Sequence, residues 1–249
     1  VTASTAYRFD PRLPGGLNNN IVYSLQAEGD SVLWIATRGG GLNRLDLRTG
    51  RIRAFRNNPA DMSSISNDDV ICLYTDSNRR LWAGTSNGLN RIYRNTEGEI
   101  AFKRYTEGDG LPNHTVHGIL EDPSGQIWIS TNKGISRIDL KSDQVVNYYY
   151  NDGLQDNEFS DGAYLAAENR RDLYFGGING FTTFHPEHIG ISDYTPPLLL
   201  QSFKIDNRQQ PLPDCSGPLL EIGSSENFLS FDFAVLDYIA TQKCEIAYT

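Results

Sequence analysis

Along its first 190 residues the chain places apolar residues in short runs that favour extended backbone, each bounded by polar turns. "VLWIAT", "LWAGT", "IWIST" and "LYFGG" are rich in β-formers and too short to make helices. A polar turn precedes each of them ("EGDS", "DSNRR", "DPSG", "ENRRD"), and a glycine turn follows ("TRGGG", "TSNGL", "TNKGI", "GINGF"). The Asn-Gly versions suit tight hairpins whose tip needs positive φ. After each glycine comes a third run, "GLNRL", "GLNRI", "GISRI" or "GFTTF", and a fourth is readable in "RIRAFR", "IAFKRY" and "VVNYYY". The runs ahead of the aromatic strands, "IVYSL", "VICLY" and "VHGIL", complete the unit.

The unit repeats. Trp34, Trp82, Trp128 and Tyr174 are 48, 46 and 46 residues apart, and Gly41, Gly88, Gly134 and Gly180 are 47, 46 and 46 apart. Four short antiparallel strands in about 45 residues is the pattern of a β-propeller blade. The expected architecture is therefore all-β: four consecutive four-stranded blades near residues 17–56, 64–105, 111–150 and 154–186, forming part of a larger propeller over 1–189. The strand ahead of each aromatic one is expected to be innermost. Ser24, Cys72 and Gly118 share one position on it, and their small size suits crowding at the axis. That makes Cys72 a buried filler, and the repeated Trp34, Trp82, Trp128 and Tyr174 a core between blades. "YRF" at 7–9 fits the outer strand of a preceding blade.

Near residue 190 the composition changes. "PLLLQSFKI", "GPLLEI" and "NFLSFDFAVLDY" read as strands without the Trp–Gly signature, so 190–249 is expected to open a second, incomplete Ig-like sandwich, which needs about 100 residues when whole. Cys215 and Cys244 both fall there and could pair.

A net charge of -9 argues against nucleic acid or an anionic membrane as the main partner. No run of 18 apolar residues could span a bilayer. The three cysteines form no C-x-x-C and no zinc spacing. His185 and His188 flank a proline in "FHPEHIG" and read as a turn. His114 and His117 lie only three apart with no evident third ligand, so neither a metal nor a cofactor is expected. No hydrolase, P-loop, zincin or EF-hand string is present, and no kinase box. The segment is not expected to be an enzyme.

"LPNHTVHGILEDPSGQIWISTNKGISRID" closely resembles the two-component regulator propeller repeat, and "NFLSFDFAVLDY…EIAYT" resembles the start of the triple-tyrosine (Y_Y_Y) domain that follows such propellers. The resemblance implies the periplasmic sensor half of a hybrid two-component system, anchored in the inner membrane. Its parent would be a homodimeric histidine kinase that detects oligosaccharides from polysaccharide breakdown and regulates transcription. It also implies a propeller of about seven blades. The alternatives are a propeller lyase or hydrolase, or an interaction scaffold.

Propeller ligands sit where the loops entering the inner strands converge. Asparagines recur there at Asn20, Asn67, Asn113 and Asn157, and an amide offers a sugar hydroxyl both donor and acceptor. Recurrence equally suits turn capping. Ligand-specific residues should instead differ between blades, which singles out His114, Arg38 in "TRGGG", and Tyr148, Tyr149 and Tyr150. An open arc of blades would leave several hundred Å² of apolar surface, worth on the order of 10 kcal/mol. Its end faces are therefore expected to be covered, first by further blades, or else by a second copy or by closure as a strained four-bladed ring.

Overall fold

The computed structural model describes residues 5–12, 15–168, 170–189, 197–212 and 228–235. The chain divides into two units, 1–189 and 190–249. In the first unit, β1 (Val22–Glu28), β2 (Val32–Thr37), β3 (Gly41–Asp46) and β4 (Ile52–Phe55) form one antiparallel sheet in sequential order. β5 (Val70–Thr75), β6 (Leu81–Thr85), β7 (Gly88–Arg94) and β8 (Ile100–Tyr105) repeat it. So do β9 (Val116–Glu121), β10 (Ile127–Thr131), β11 (Gly134–Ile138) and β12 (Val145–Tyr148). These are three four-stranded blades.

The fourth blade departs from expectation. Among the described residues it has three strands, β13 (Phe159–Ala166), β14 (Leu173–Gly177) and β15 (Gly180–Phe184). The reason is local. Blades 1 to 3 turn back after their third strand through glycine or polar hairpins, whereas Pro186 starts a short 3-10 turn, Pro186–His188, just after β15. Proline fixes φ and lacks the N–H a hairpin ladder would use.

In blades 1 to 3 the aromatic strand packs its blade against the next. Trp34, Leu42 and Phe55 of blade 1 share a core with Ile65, Leu73 and Phe102 of blade 2. Trp82, Leu89 and Tyr105 do the same with Leu111, Ile119 and Ile129 of blade 3, and Trp128 and Ile135 with Leu154, Leu173 and Phe175 of blade 4. The indole N–H would be costly to bury alone. In every case a carboxylate six residues upstream accepts it: Glu28 for Trp34 at 2.8 Å, Asp76 for Trp82 and Asp122 for Trp128 at 2.9 Å. The polar turn before each aromatic strand thus supplies the acceptor.

The glycine turns join blades as well. Gly41 N–H donates to Asp68 O at 2.8 Å, Gly88 to His114 O at 2.5 Å and Gly134 to Asn157 O at 2.6 Å. Thr37, Thr85 and Thr131 close each turn by donating from the hydroxyl to the glycine carbonyl.

The two end blades expose what inner blades bury. Leu25, Leu73 and Ile119 are equivalent positions on β1, β5 and β9, opposite Ile35, Ala83 and Ile129. Leu25 is 59% exposed, against 5% and 0% for the others. At the other end Phe181 is 67% exposed, while its equivalents Leu42, Leu89 and Ile135 are at 0%. The arc is apolar at both end faces.

In the second unit, β16 (Leu198–Ile205), β17 (Arg208–Gln210) and β18 (Leu229–Val235) form one antiparallel sheet in the order β17-β16-β18. Phe203 is buried and stacks on Phe231 at 4.9 Å. The rest of the expected sandwich, including Cys215 and Cys244, lies outside the described residues. Among the described residues no helix is long and apolar enough to cross a membrane.

Candidate functional site

The loops entering the inner strands and the glycine turns share one rim of the arc, and the inner strands β1, β5, β9 and β13 lie side by side beneath it. Each inner strand carries a β-bulge just below that rim. In blade 1 the pairing steps from Val22↔Thr37 to Ser24↔Ala36 and leaves Tyr23 unpaired; Ile71 and His117 hold the same place in blades 2 and 3. In blade 4 it steps from Phe159↔Gly177 to Tyr164↔Phe175, so four residues, 160–163, oppose Gly176 alone. Bulges re-aim side chains and concentrate at sites.

The enlarged bulge brings Asp161 to His117. The imidazole of His117, mostly buried, lies between two oxygens: Asp161 Oδ1 is 2.5 Å from Nδ1, and Asn132 Oδ1 is 2.7 Å from Nε2. Asn132 stands on the glycine turn of blade 3 and is exposed, as is Asp161. One carboxylate oxygen is thereby held, and the group stays open to solvent. A carboxylate and an amide fixed by one ring, at the rim of a crowded axis, can bind a polyhydroxylated ligand: both accept from hydroxyls, and the amide also donates.

The asparagines named from the sequence serve the backbone. Asn67 Oδ1 accepts from Asp69 N at 2.7 Å, and Asn113 Oδ1 from Thr115 N at 2.9 Å. Asn20 and Asn157 occupy the next repeat position. Asn20 accepts from Phe9 N and Asn157 from Tyr150 N, both at 2.8 Å. The residue equivalent to Asn67 in blade 1 is Asn19, which accepts from Ile21 N at 2.8 Å. Grouping the four by residue type thus mixed two registers. Asn19, Asn67 and Asn113 each tighten an Asx turn, while Asn20 and Asn157 tie the entering loop to the segment that precedes it.

Arg38 is exposed at the glycine turn of blade 1, and its N–H donates to Ile21 O at 3.0 Å. His114 is exposed, with Nδ1 3.2 Å from Glu107 Oε1. The three tyrosines do not converge. Tyr148 stacks on Trp128 at 5.5 Å inside the blade core, Tyr149 lies beside Gly134, and Tyr150 faces solvent. Burial pushes the Tyr148 and Tyr149 hydroxyl pKa values up. Tyr174 is half-buried on the open end of the arc, unlike the three tryptophans.

On the opposite rim, wholly buried Glu121 accepts from Ser77 N and Oγ of blade 2 at 2.8 and 2.7 Å, and pairs with Arg170 of blade 4. It clasps three blades. Cys72 is buried and its thiol pKa is pushed up by burial, as a filler's should be. His185 and His188 stack ring on ring at 4.3 Å. Among the described residues no group of three His, Cys, Asp or Glu could hold a metal ion.

Asp161 and Asn132 were not singled out by sequence reasoning, but a signal existed. The inner strand's first residue precedes the aromatic by 12 residues in blades 1 to 3 (Val22, Val70, Val116) and by 15 in blade 4 (Phe159).

The profile of the two-component regulator propeller repeat matches residues 64–87 and 110–133, the entering loop and first two strands of blades 2 and 3. The chain is 31% identical to histidine kinase P4 of Formosa agariphila, over 77% of this chain and 17% of that protein. It is 25% identical to the extracellular domain of the hybrid two-component system BT3049 from B. thetaiotaomicron, with a TM-score of 0.69 over 96% of this chain and 32% of that one. A second extracellular domain, of the one-component system BT4673 from the same organism, shares the fold at 20% identity and a TM-score of 0.52. The chain spans less than a third of each of these relatives.

Proposed function

We propose that this chain is a ligand-sensing segment from the extracellular, periplasmic half of a hybrid two-component system, and that its ligand is an oligosaccharide. The observation that carries the first half is the likeness, over 96% of the chain, to the extracellular domain of such a system. The second half rests on chemistry. Asp161, Asn132 and His117 break the repeat, which is where a ligand-specific set should stand, and they present acceptors and an amide donor to hydroxyls.

In this reading the segment performs no phosphotransfer. That chemistry belongs to other parts of a longer, homodimeric histidine kinase that regulates polysaccharide breakdown. The end faces exposed at Leu25 and Phe181 are covered in the intact protein by further blades, and the unit from residue 190 opens a triple-tyrosine sandwich. Signalling is a population shift: a ligand that binds one arrangement of the blades more tightly favours it by its differential affinity alone. A ligand bridging Asp161 of blade 4 and Asn132 of blade 3 would tighten the junction between them.

The test is thermal unfolding of the 249-residue chain against a panel of oligosaccharides. A ligand at 100 times its dissociation constant adds about 2.7 kcal/mol, or roughly 5–10 °C for a domain of this size. A shift confined to one glycan class is expected. No shift with any glycan would overturn the ligand class for this segment.

A further inference from the structure

The segment that joins blade 1 to blade 2 runs from 56 to 69, four residues longer than its counterparts at 106–115 and 149–158. The shorter joints close on a 3-10 turn capped by Asp109 or Asp152. The longer one carries the chain's only methionine, Met62, which is 74% exposed. It is held together by its own polar groups, as compact surface loops are. Asp61 N donates to Asn58 O, Ser64 N donates to Asp61 O, and Ser63 O accepts from Phe102 N of β8. The thioether is thus presented to solvent from a fixed backbone.

Arg104 on β8 ties this segment down. Its place is that of Asn147 on β12, whose amide makes one such tie, to Gly110 O at 2.8 Å. Arg104 makes several. Nε donates to Ser64 O at 2.9 Å, and Nη2 donates to Asp61 O at 2.9 Å and to Ser64 Oγ at 2.7 Å. Among the described residues Nη1 meets only Met62 Sδ, at 3.6 Å. A thioether is a weak acceptor, so the Nη1 donors face sulfur where the others face oxygen.

Access for an oxidant and a cation placed to bind the oxidised product therefore meet at one side chain. We propose that Met62 is a reversible oxidation site and that Arg104 reads its sulfoxide. The oxidant is a peroxide. The sulfur lone pair attacks one peroxide oxygen, the O–O bond breaks and an S–O bond forms. Sulfur loses two electrons, and the proton of the transferred oxygen passes to the departing hydroxide, which leaves as water. A methionine sulfoxide reductase reverses the change, its thiols going to a disulfide and the oxygen to water. In a core the polar sulfoxide would disrupt packing, but at this exposed tip it buries nothing. Its oxygen accepts a charge-assisted hydrogen bond from Arg104 Nη1. The sulfoxide tightens the segment, and with it Asp68, whose carbonyl accepts from the glycine turn of blade 1. The proposal stands apart from the glycan reading, since neither needs the other.

The test uses the 249-residue protein treated with dilute hydrogen peroxide. Peptide mapping is expected to place one added oxygen on Met62, gained about as fast as by free methionine. Hydrogen exchange of the 57–66 amides should slow about tenfold on oxidation, the effect of one charge-assisted hydrogen bond, and should recover after treatment with a methionine sulfoxide reductase. Met62→Gln, whose amide oxygen stands in for that of the sulfoxide, should show the slow exchange without oxidant. Met62→Leu should show the faster exchange with or without it. Arg104→Lys, checked for folding by circular dichroism, should oxidise equally fast and yet lose the slowing. Protection of Met62 from peroxide in the folded protein would overturn the proposal. So would equal exchange in the reduced and oxidised wild-type chains, or a peroxide-induced slowing that persists in Met62→Leu.

Discussion

Substituting alanine for the turn glycines should give unequal losses, although their φ values are nearly equal. At Gly180 and at Gly134 a side chain is held near φ +100, a conformation that costs an L-residue about 1–2 kcal/mol. At Gly180 that is the whole expected loss, because among the described residues the methyl meets nothing. At Gly134 the methyl overlaps Tyr148 O, so β12 must move. The terminal pairing Ile135↔Tyr148 is then lost at about 1 kcal/mol, and the stacking of Tyr148 on Trp128 at a further 0.5–1.5 kcal/mol. The total for Gly134→Ala comes to roughly 3–4 kcal/mol. At about 2–4 °C per kcal/mol for a chain of this size, calorimetry should show Tm falling by about 10 °C for Gly134→Ala and about 4 °C for Gly180→Ala. Gly88→Ala should follow Gly134→Ala. Equal shifts at Gly134 and Gly180 would refute the reasoning, because the outer strand would then play no part in fixing the turn.

Further outcomes are expected elsewhere. Ile135→Ala should cost about 2–4 kcal/mol in urea unfolding, while Phe181→Ala at the equivalent, exposed position should cost under 1 kcal/mol. With Cys215 and Cys244 changed to serine, Cys72 should resist iodoacetamide at pH 8 in the folded chain and react only after denaturation, because burial raises its thiol pKa. Asp143 accepts from Lys103 at 2.6 Å and Tyr105 at 2.8 Å, and these bonds, Lys103's first, lower its pKa. Its contribution is therefore full above the ordinary aspartate pKa near 4 and lost as pH falls through the lower folded value. Asp143→Asn should lower Tm at pH 7, and the difference between the two proteins should shrink as pH falls below the ordinary aspartate pKa.

The blade architecture was legible in the sequence because each structural need recurs. An indole needs an acceptor, which appears six residues earlier in three repeats, and a hairpin tip needs positive φ, which keeps a glycine after each aromatic strand. That blade 4 has three strands among the described residues was less legible, since the repeat's first three strands are intact and the proline after Phe184 marks the change. The candidate site was the least legible part. His117 is a bulge residue equivalent to Ile71 and Tyr23, and only register shows that it breaks an otherwise apolar position. Asp161 meets it because two extra residues widen the bulge in β13 and a third lengthens the following turn. Repetition reveals what holds the blades together, whereas a binding set depends on where repetition fails.

The most direct measurement is isothermal titration of the best glycan from the panel into the wild-type chain and into Asp161→Asn. Asp161 is exposed, so the substitution removes a charge and an acceptor without opening the core. A loss of tenfold or more in affinity, with unchanged circular dichroism, is the expected result. Equal affinity in the two proteins would contradict the account and move the site away from the His117–Asp161 bulge.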